Sequence, residues 1–366
     1  MKKRITYVTM LFFILLIGVL SITVTGCQNA GTGIEKLYSI YLMDSNGWLI
    51  GYENQEASKI INVQNDACDR IYSYGNNLYI ASGKGWGSDK PGEIISWNPR
   101  QPYAEPIHLE PIDGASVWAL AFVNNDKAYA TVSNDPNYSG GVWVFNPSDL
   151  TAGATLIEGT EGGNPEGIII LGSYAYVAYS GYSDPDNGNV VKVINTLTDS
   201  VVDSITVGKN PQALIASNDG SKVYVANTGS YNSDTYSYEN CSISIIDTST
   251  NTVEDTINMP DGTGPSILAI TSNGKLYTTG YGANIYYIDT NDTNPTPTPI
   301  TTTKLGGSNM LIIDDYLYIT NPDYTAGSVY STLTIIDTKT NTKINGSPIT
   351  VGDVDTEISG ITTYNK

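Results

Sequence analysis

The sequence predicts an all-β chain: a seven-bladed β-propeller of four-stranded antiparallel blades. Three observations carry this. Short runs alternate apolar and polar residues, as in "SKVYVAN" and "SISIIDT". The runs recur in a fixed order, their first strands opening near Arg70, Val117, Gly167, Ala213, Ile267, Met310 and Ile358, which lie 43 to 54 residues apart. Each end of the chain holds an incomplete unit, and the two pieces add up to one blade.

At the N-terminus, Lys2, Lys3 and Arg4 precede an apolar run over 11–20, and small residues lead to Cys27. That is the order of a secretory signal. Val24-Thr25-Gly26-Cys27 is similar to the lipobox of bacterial and archaeal lipoproteins, which implies cleavage after residue 26 and acylation of Cys27. Residues 1–26 are expected to be the signal peptide, 27–34 a short linker and 35–366 a single propeller domain. The other reading is an uncleaved membrane anchor, since Ile5 to Thr25 is long enough to span. Both readings place the domain outside the cytoplasm, held to the outer face of a membrane of the cell envelope.

The second strands follow after tight turns: "NNLYIAS", "DKAYATV", "SYAYVAY", "SKVYVAN", "GKLYTTG" and "DYLYITN". Third strands end in Asx, at Asn98, Asn146, Asn195, Asp247, Asp289 and Asp337. An Asx side chain at a strand end bonds the backbone two residues on, so these residues are read as turn formers and not as catalytic groups. Fourth strands are weaker, from "PIHLE" to "SPITV". Leu37 to Asp44, Trp48 to Glu53 and Lys59 to Val63 form three strands without a first, and Glu357 to Tyr364 a first without the other three. Joining them closes the ring and leaves no bare sheet edge.

The stretch "SKVYVANTGS…SISIIDTSTNTVEDTI…GPSILAITSNGKLYTTG" resembles the YVTN-type β-propeller repeats of bacterial and archaeal surface proteins. The likeness covers Asn164 to Thr290 and Ser308 to Thr350. It implies the propeller fold and a surface location, but no particular activity.

Composition excludes several functions. The formal charge is −19, and the three cations of the first 26 residues leave the remainder at −22. Beyond that segment only Arg70 and Arg100 remain to grip phosphate, so nucleic acid is not an expected partner. One histidine, His108, on a strand-like run, cannot build a multi-His metal site. Cys68 and Cys241 fall three blades apart, too far for a disulfide, and two free thiols are expected.

Five loops between second and third strands are long, and in a propeller these loops surround one mouth of the central channel. They hold Trp86, Tyr138, Tyr182, Tyr231, Tyr236, Tyr238, Tyr324 and Tyr330 among Asn, Ser, Gly and Asp, including Asp184. That mixture of rigid rings and adaptable hydrogen bonders suits a binding face. "SDPDNGN" at Ser183 to Asn189 misses the EF-hand spacing by one position, so a polar turn is the stronger reading and a Ca²⁺ site the weaker. No other cofactor is expected. The residues just ahead of each first-strand apolar run are Asp69, Ser116, Glu166, Gln212, Ser266, Asn309 and Ser359. All are polar and none is basic, so a ring of them at the channel mouth favours a cation or a polyol.

Enzyme motifs are missing: no G-x-S-x-G, H-E-x-x-H or P-loop occurs. Seven-bladed lactonases are similar in shape but use channel His and Arg, and quinoprotein dehydrogenases carry a tryptophan signature not found here. The expectation is a membrane-anchored binding scaffold for a glycan, peptide or envelope protein. An envelope enzyme acting on a sugar or lactone is the alternative.

Overall fold

A computed structural model describes residues 22–23, 39–53, 56–63, 68–83, 92–101, 103–110, 115–133, 140–180, 188–281, 284–300, 307–323, 330–351 and 357–364. The strands form seven antiparallel blades in a ring. Blade 1 is the closing blade: Ile358–Tyr364 lies innermost, then Ser39–Asp44, Trp48–Glu53 and Glu56–Asn62. Ile22–Thr23, inside the expected signal segment, adds a two-residue pair to its outer edge. Blades 2 to 6 open with Cys68–Tyr74, Val117–Asn124, Asn164–Leu171, Pro211–Ala216 and Pro265–Ile270, each followed by its other three strands in chain order. Blade 7 starts at Asn309–Ile313 and differs from expectation at its rim. Its fourth strand is split into Thr342–Lys343 and Ile349–Thr350, both paired to Tyr330–Asp337.

Burial follows position in the blade. The second strands of blades 2, 3, 5 and 6 are buried at five of six positions, because both faces are covered by neighbouring blades. The outer strands Ser200–Thr206 and Thr252–Asn258 are largely exposed, each burying only one isoleucine. Seven apolar clusters fill the seven gaps between blades; Met43, Leu49, Ile71, Ile80 and Trp97, for example, weld blade 1 to blade 2. No blade can bury these faces alone, so each depends on its neighbours for a core.

The Asx residues act as the sequence suggests. Asn98, Asn146, Asn195, Asp247, Asp289 and Asp337 each accept, through Oδ1, the backbone N–H two residues on, at 2.7 to 3.1 Å. In three of these turns a second Asx, Asp199, Asn251 or Asn341, takes the left-handed region at φ 51°, 53° and 55°.

A contact the sequence did not reveal ties blades together. The tyrosine of the second-strand motif reaches across to the next blade's turn. Tyr129 donates to Asp199, Tyr176 to Asn251 Oδ1 at 2.8 Å and Tyr277 to Asn341 Oδ1 at 2.6 Å. Tyr79 donates instead to the Pro147 carbonyl at 2.8 Å. The left-handed Asx and the buried tyrosine therefore form one lock, with its partners some 64 to 75 residues apart.

Cys68 and Cys241 are buried free thiols. Cys241 sits against the Thr228 carbonyl and the Gly264 N–H, and burial pushes its pKa up. His108 pairs with Glu93 at 3.1 Å on the outer strand of blade 2.

Candidate functional site

The innermost strands of all seven blades line a central cavity of about 310 Å³. In six blades that strand opens with a β-bulge, where one extra residue opposes the second strand. Asp69, Glu166, Gln212, Ser266 and Ser359 of the expected ring are the bulged residues; in blade 3 the bulge falls on Trp118, not on Ser116. A bulge re-aims side chains locally, which is why such positions gather at a functional mouth.

Bulging also changes what lines the channel. Ser266 and Asn309 of the ring reach the cavity, together with Arg70, Ser308, Thr362 and the apolar Ile168, Leu214, Ile267 and Ile361. The lining thus contains a base, where the ring read from sequence had none. Glu166 is half-buried beside it. Its carboxylate accepts from Ser180 Oγ at 2.9 Å, while its backbone carbonyl accepts from Thr131 Oγ1 at 2.7 Å. Burial raises the Glu166 pKa, opposed by the Ser180 hydrogen bond and by the charge of Arg70.

That shift has a sign. A carboxyl group whose folded pKa is raised contributes stability below its unfolded pKa and loses it as pH rises through the folded value. Glu166→Gln is therefore expected to stabilise the protein at neutral pH, with the advantage vanishing below about pH 4, where wild-type Glu166 is protonated in both states. Urea unfolding across that range checks this. A Gln variant destabilised equally at both ends would show that the carboxylate is not under strain.

The most developed surface feature among the described residues stands on the same face. Between the second and third strands of blade 5, Ser230–Asn232 and Ser237–Glu239 pair as a small hairpin. On it, Tyr231 meets Tyr238 edge-on at 5.3 Å between centroids, and Tyr238 stacks on Tyr281 of blade 6 at 5.1 Å and 24°. Tyr231 is 56% exposed and Tyr281 61%. The Tyr281 hydroxyl reaches the Gln212 side-chain oxygen at 3.3 Å, so the ladder ends on a bulged residue of the channel mouth. Gly264 makes the stack possible: at φ 48° it carries no Cβ, which would sit 3.0 Å from the Tyr238 ring.

Of the residues expected at this face, Tyr231 belongs to the ladder and Gln212 terminates it. Tyr236 stands at the hairpin tip, 82% exposed, at φ 53°, with no ring contact among the described residues. Asn309 bonds the backbone of Met310 and the Ser359 carbonyl. Trp86, Tyr138, Tyr182, Asp184 and Tyr324 lie outside the described residues, as do residues 183–187 of the segment weighed for calcium, and Asp69 is described only as backbone. Sequence reasoning missed Tyr281, because its loop is short and only packing brings it under Tyr238. Among the described residues no group of three or more His, Cys, Asp or Glu is placed to hold a metal ion. No helix among them is long and apolar enough to cross a membrane.

Fold and site together define a seven-bladed propeller with a narrow mixed-polarity channel and an aromatic mouth. The chain belongs to the family described as "Domain of unknown function (DUF5074)", whose model matches residues 50–320. No curated protein matches it. Among solved structures, the hydrazine synthase of Kuenenia stuttgartiensis is similar at 19% identity and a TM-score of 0.53, over 73% of this chain and 76% of that one. As many as 961 chains match, and at this identity the likeness speaks for the fold alone.

Proposed function

We propose that this protein is a cell-surface binding module, with YVTN-like repeats as scaffold and the loop-bearing face as its working surface. The ligand class favoured is carbohydrate. The observation that carries it is the Tyr231–Tyr238–Tyr281 ladder, two of its rings exposed and its end beside the Gln212 amide. Exposed rings next to an amide suit a sugar ring, which stacks its C–H face and hydrogen-bonds its hydroxyls. Tyrosine ladders also anchor peptides and proteins, and those would spread over several loops.

The test is a glycan array with the soluble domain, followed by titration of each hit. Changing Tyr231, Tyr238 and Tyr281 together to Ala should weaken binding at least about tenfold, or roughly 1.4 kcal/mol, whereas Tyr236→Ala should leave it intact. A folded triple variant with full binding, or an array without signal, overturns the carbohydrate reading.

Anchoring through acylated Cys27 completes the proposal, supported by Val24-Thr25-Gly26-Cys27 behind a basic and apolar leader. The mature protein is expected to begin at Cys27 with an added acyl mass, and Cys27→Ala to release it from membranes. An unmodified Cys27 in the mature protein's intact mass removes the anchor from the proposal.

A further inference from the structure

On the face opposite the tyrosine ladder, the junction between blades 5 and 6 lacks the lock that ties others. In blade 3, Lys127 and Tyr129 stand two residues apart on the second strand and converge on the next blade. Lys127 Nζ donates to the Thr196 carbonyl at 3.0 Å and to the Asp199 carboxylate, which also accepts from Tyr129. Blade 6 repeats the fork. Lys275 Nζ donates to the Thr338 carbonyl at 2.6 Å, and Tyr277 to Asn341 Oδ1 at 2.6 Å. Each fork thus meets a side-chain oxygen and a backbone carbonyl.

Blade 5 carries the same fork as Lys222 and Tyr224, in the same register against its third strand. The turn it faces in blade 6 is built differently. After Asp289 the chain runs on through 290–297 without any residue at positive φ, so no left-handed Asx is presented. Asn291 folds back onto the Asn273 carbonyl at 2.9 Å and onto Asp289 at 3.1 Å. Lys222 turns aside to pair with Glu254. Tyr224, only 3% exposed, has no hydrogen-bond partner among the described residues. In place of a lock there is a groove of about 390 Å³, lined by Tyr224, Asn218, Asn273, Asn291 and Ile270 among others.

We propose that this groove between blades 5 and 6 binds a small neutral ligand presenting a carboxamide oxygen beside hydroxyl groups, the chemistry of an N-acetylhexosamine. The carboxamide oxygen takes the place that Asn341 holds before Tyr277, accepting from the Tyr224 hydroxyl. The asparagine-rich walls serve the hydroxyls, and Ile270 and the Tyr224 ring give an apolar floor. Neutrality follows from the charges present. Lys222 is balanced by Glu254, and Asp219 already accepts from Ser217 Oγ and from both N–H and hydroxyl of Ser221. Its pKa is held down to about 2 by those hydrogen bonds, so it stays ionised and repels anions. The volume fits one sugar unit, at the small end of ligand pockets.

The probe is free N-acetylglucosamine, read by saturation-transfer NMR on its acetyl methyl group with glucose as comparison. A single small pocket predicts saturable binding with a Kd in the millimolar range, and glucose at least about fivefold weaker. Tyr224→Phe keeps the ring and removes only the hydroxyl, so it should weaken binding about five- to tenfold. It should leave Tm unchanged, because that hydroxyl bonds nothing among the described residues, whereas Tyr277→Phe should lower Tm by breaking its lock. The variant lacking Tyr231, Tyr238 and Tyr281 should bind N-acetylglucosamine as wild type does, which separates this site from the opposite face. Absence of saturable binding to roughly 50 mM overturns the proposal. So does binding that Tyr224→Phe leaves intact, or binding lost only with the tyrosine ladder.

Discussion

A chain ending at Glu357 is expected to lose the cooperative unfolding of the full-length protein and to aggregate. The missing strand, Ile358–Tyr364, is the innermost of blade 1 and pairs with Ser39–Asp44 from Ser39↔Tyr364 to Asp44↔Ile358. It buries Ile358, Ile361 and Tyr364 at 1 to 5% exposure, in the clusters that join blade 1 to blades 7 and 2. Three such side chains at about 1.5–3 kcal/mol each come to roughly 5–9 kcal/mol. The ladder bonds and the contacts of Ser359 with Cys68 and Tyr364 with Asn76 add to that. Domains are commonly stable by only about 5–15 kcal/mol, so this loss is most or all of what holds the ring. The strand Ser39–Asp44 would also be left as a bare edge, a template for intermolecular pairing. Urea unfolding and light scattering read both effects. A truncated chain with the midpoint and slope of the full-length protein would show that closure contributes nothing.

The second large effect is expected from Gly280→Ala. Gly280 ends the second strand of blade 6, and a Cβ there would lie 1.9 Å from the Gly264 carbonyl oxygen and 2.9 Å from the Ser266 nitrogen. Both are backbone atoms at the bulge, so no side chain can swing aside; the strand itself has to move. A cost on the order of 3 kcal/mol is expected. The displacement falls on the Tyr281 N–H bond to the Gly264 carbonyl, 3.1 Å long, and hence on the ring stacked beneath Tyr238. Gly280→Ala should therefore lower both Tm and ligand binding at the ladder, while Tyr281→Ala lowers binding alone. An alanine variant as stable as wild type would mean that the bulge tolerates a far wider spacing than it shows.

Much of this architecture was legible because it rests on short-range rules. Strand alternation, two-residue turns and Asx-capped third strands are written within about ten residues of chain, so the blades and their order could be read directly. Closure was legible from counting, since an unmatched first strand at one end answered three at the other. The site was less so. Tyr231 and Gln212 were singled out separately, one as a loop aromatic and one as a polar residue before an apolar run, with nothing to say that Tyr281 would join them.

What the sequence determined by itself, then, is the set of blades, their turns and the pairing of the two ends, all of which follow from local backbone preference and from the need to cover a sheet edge. Only the tertiary structure decided which side chains meet. Each β-bulge adds a residue and breaks the two-residue alternation, which is how Arg70 comes to line a channel whose ring had read as free of bases. The tyrosine of each second strand looks apolar in pattern because its ring is buried. In blades 3, 4 and 6 its hydroxyl finds an Asx 64 to 75 residues away, at a distance that ring curvature sets and no local pattern records. At blade 5 the same Lys and Tyr meet a turn of different shape, one that presents no left-handed Asx to Tyr224, and a groove lies there.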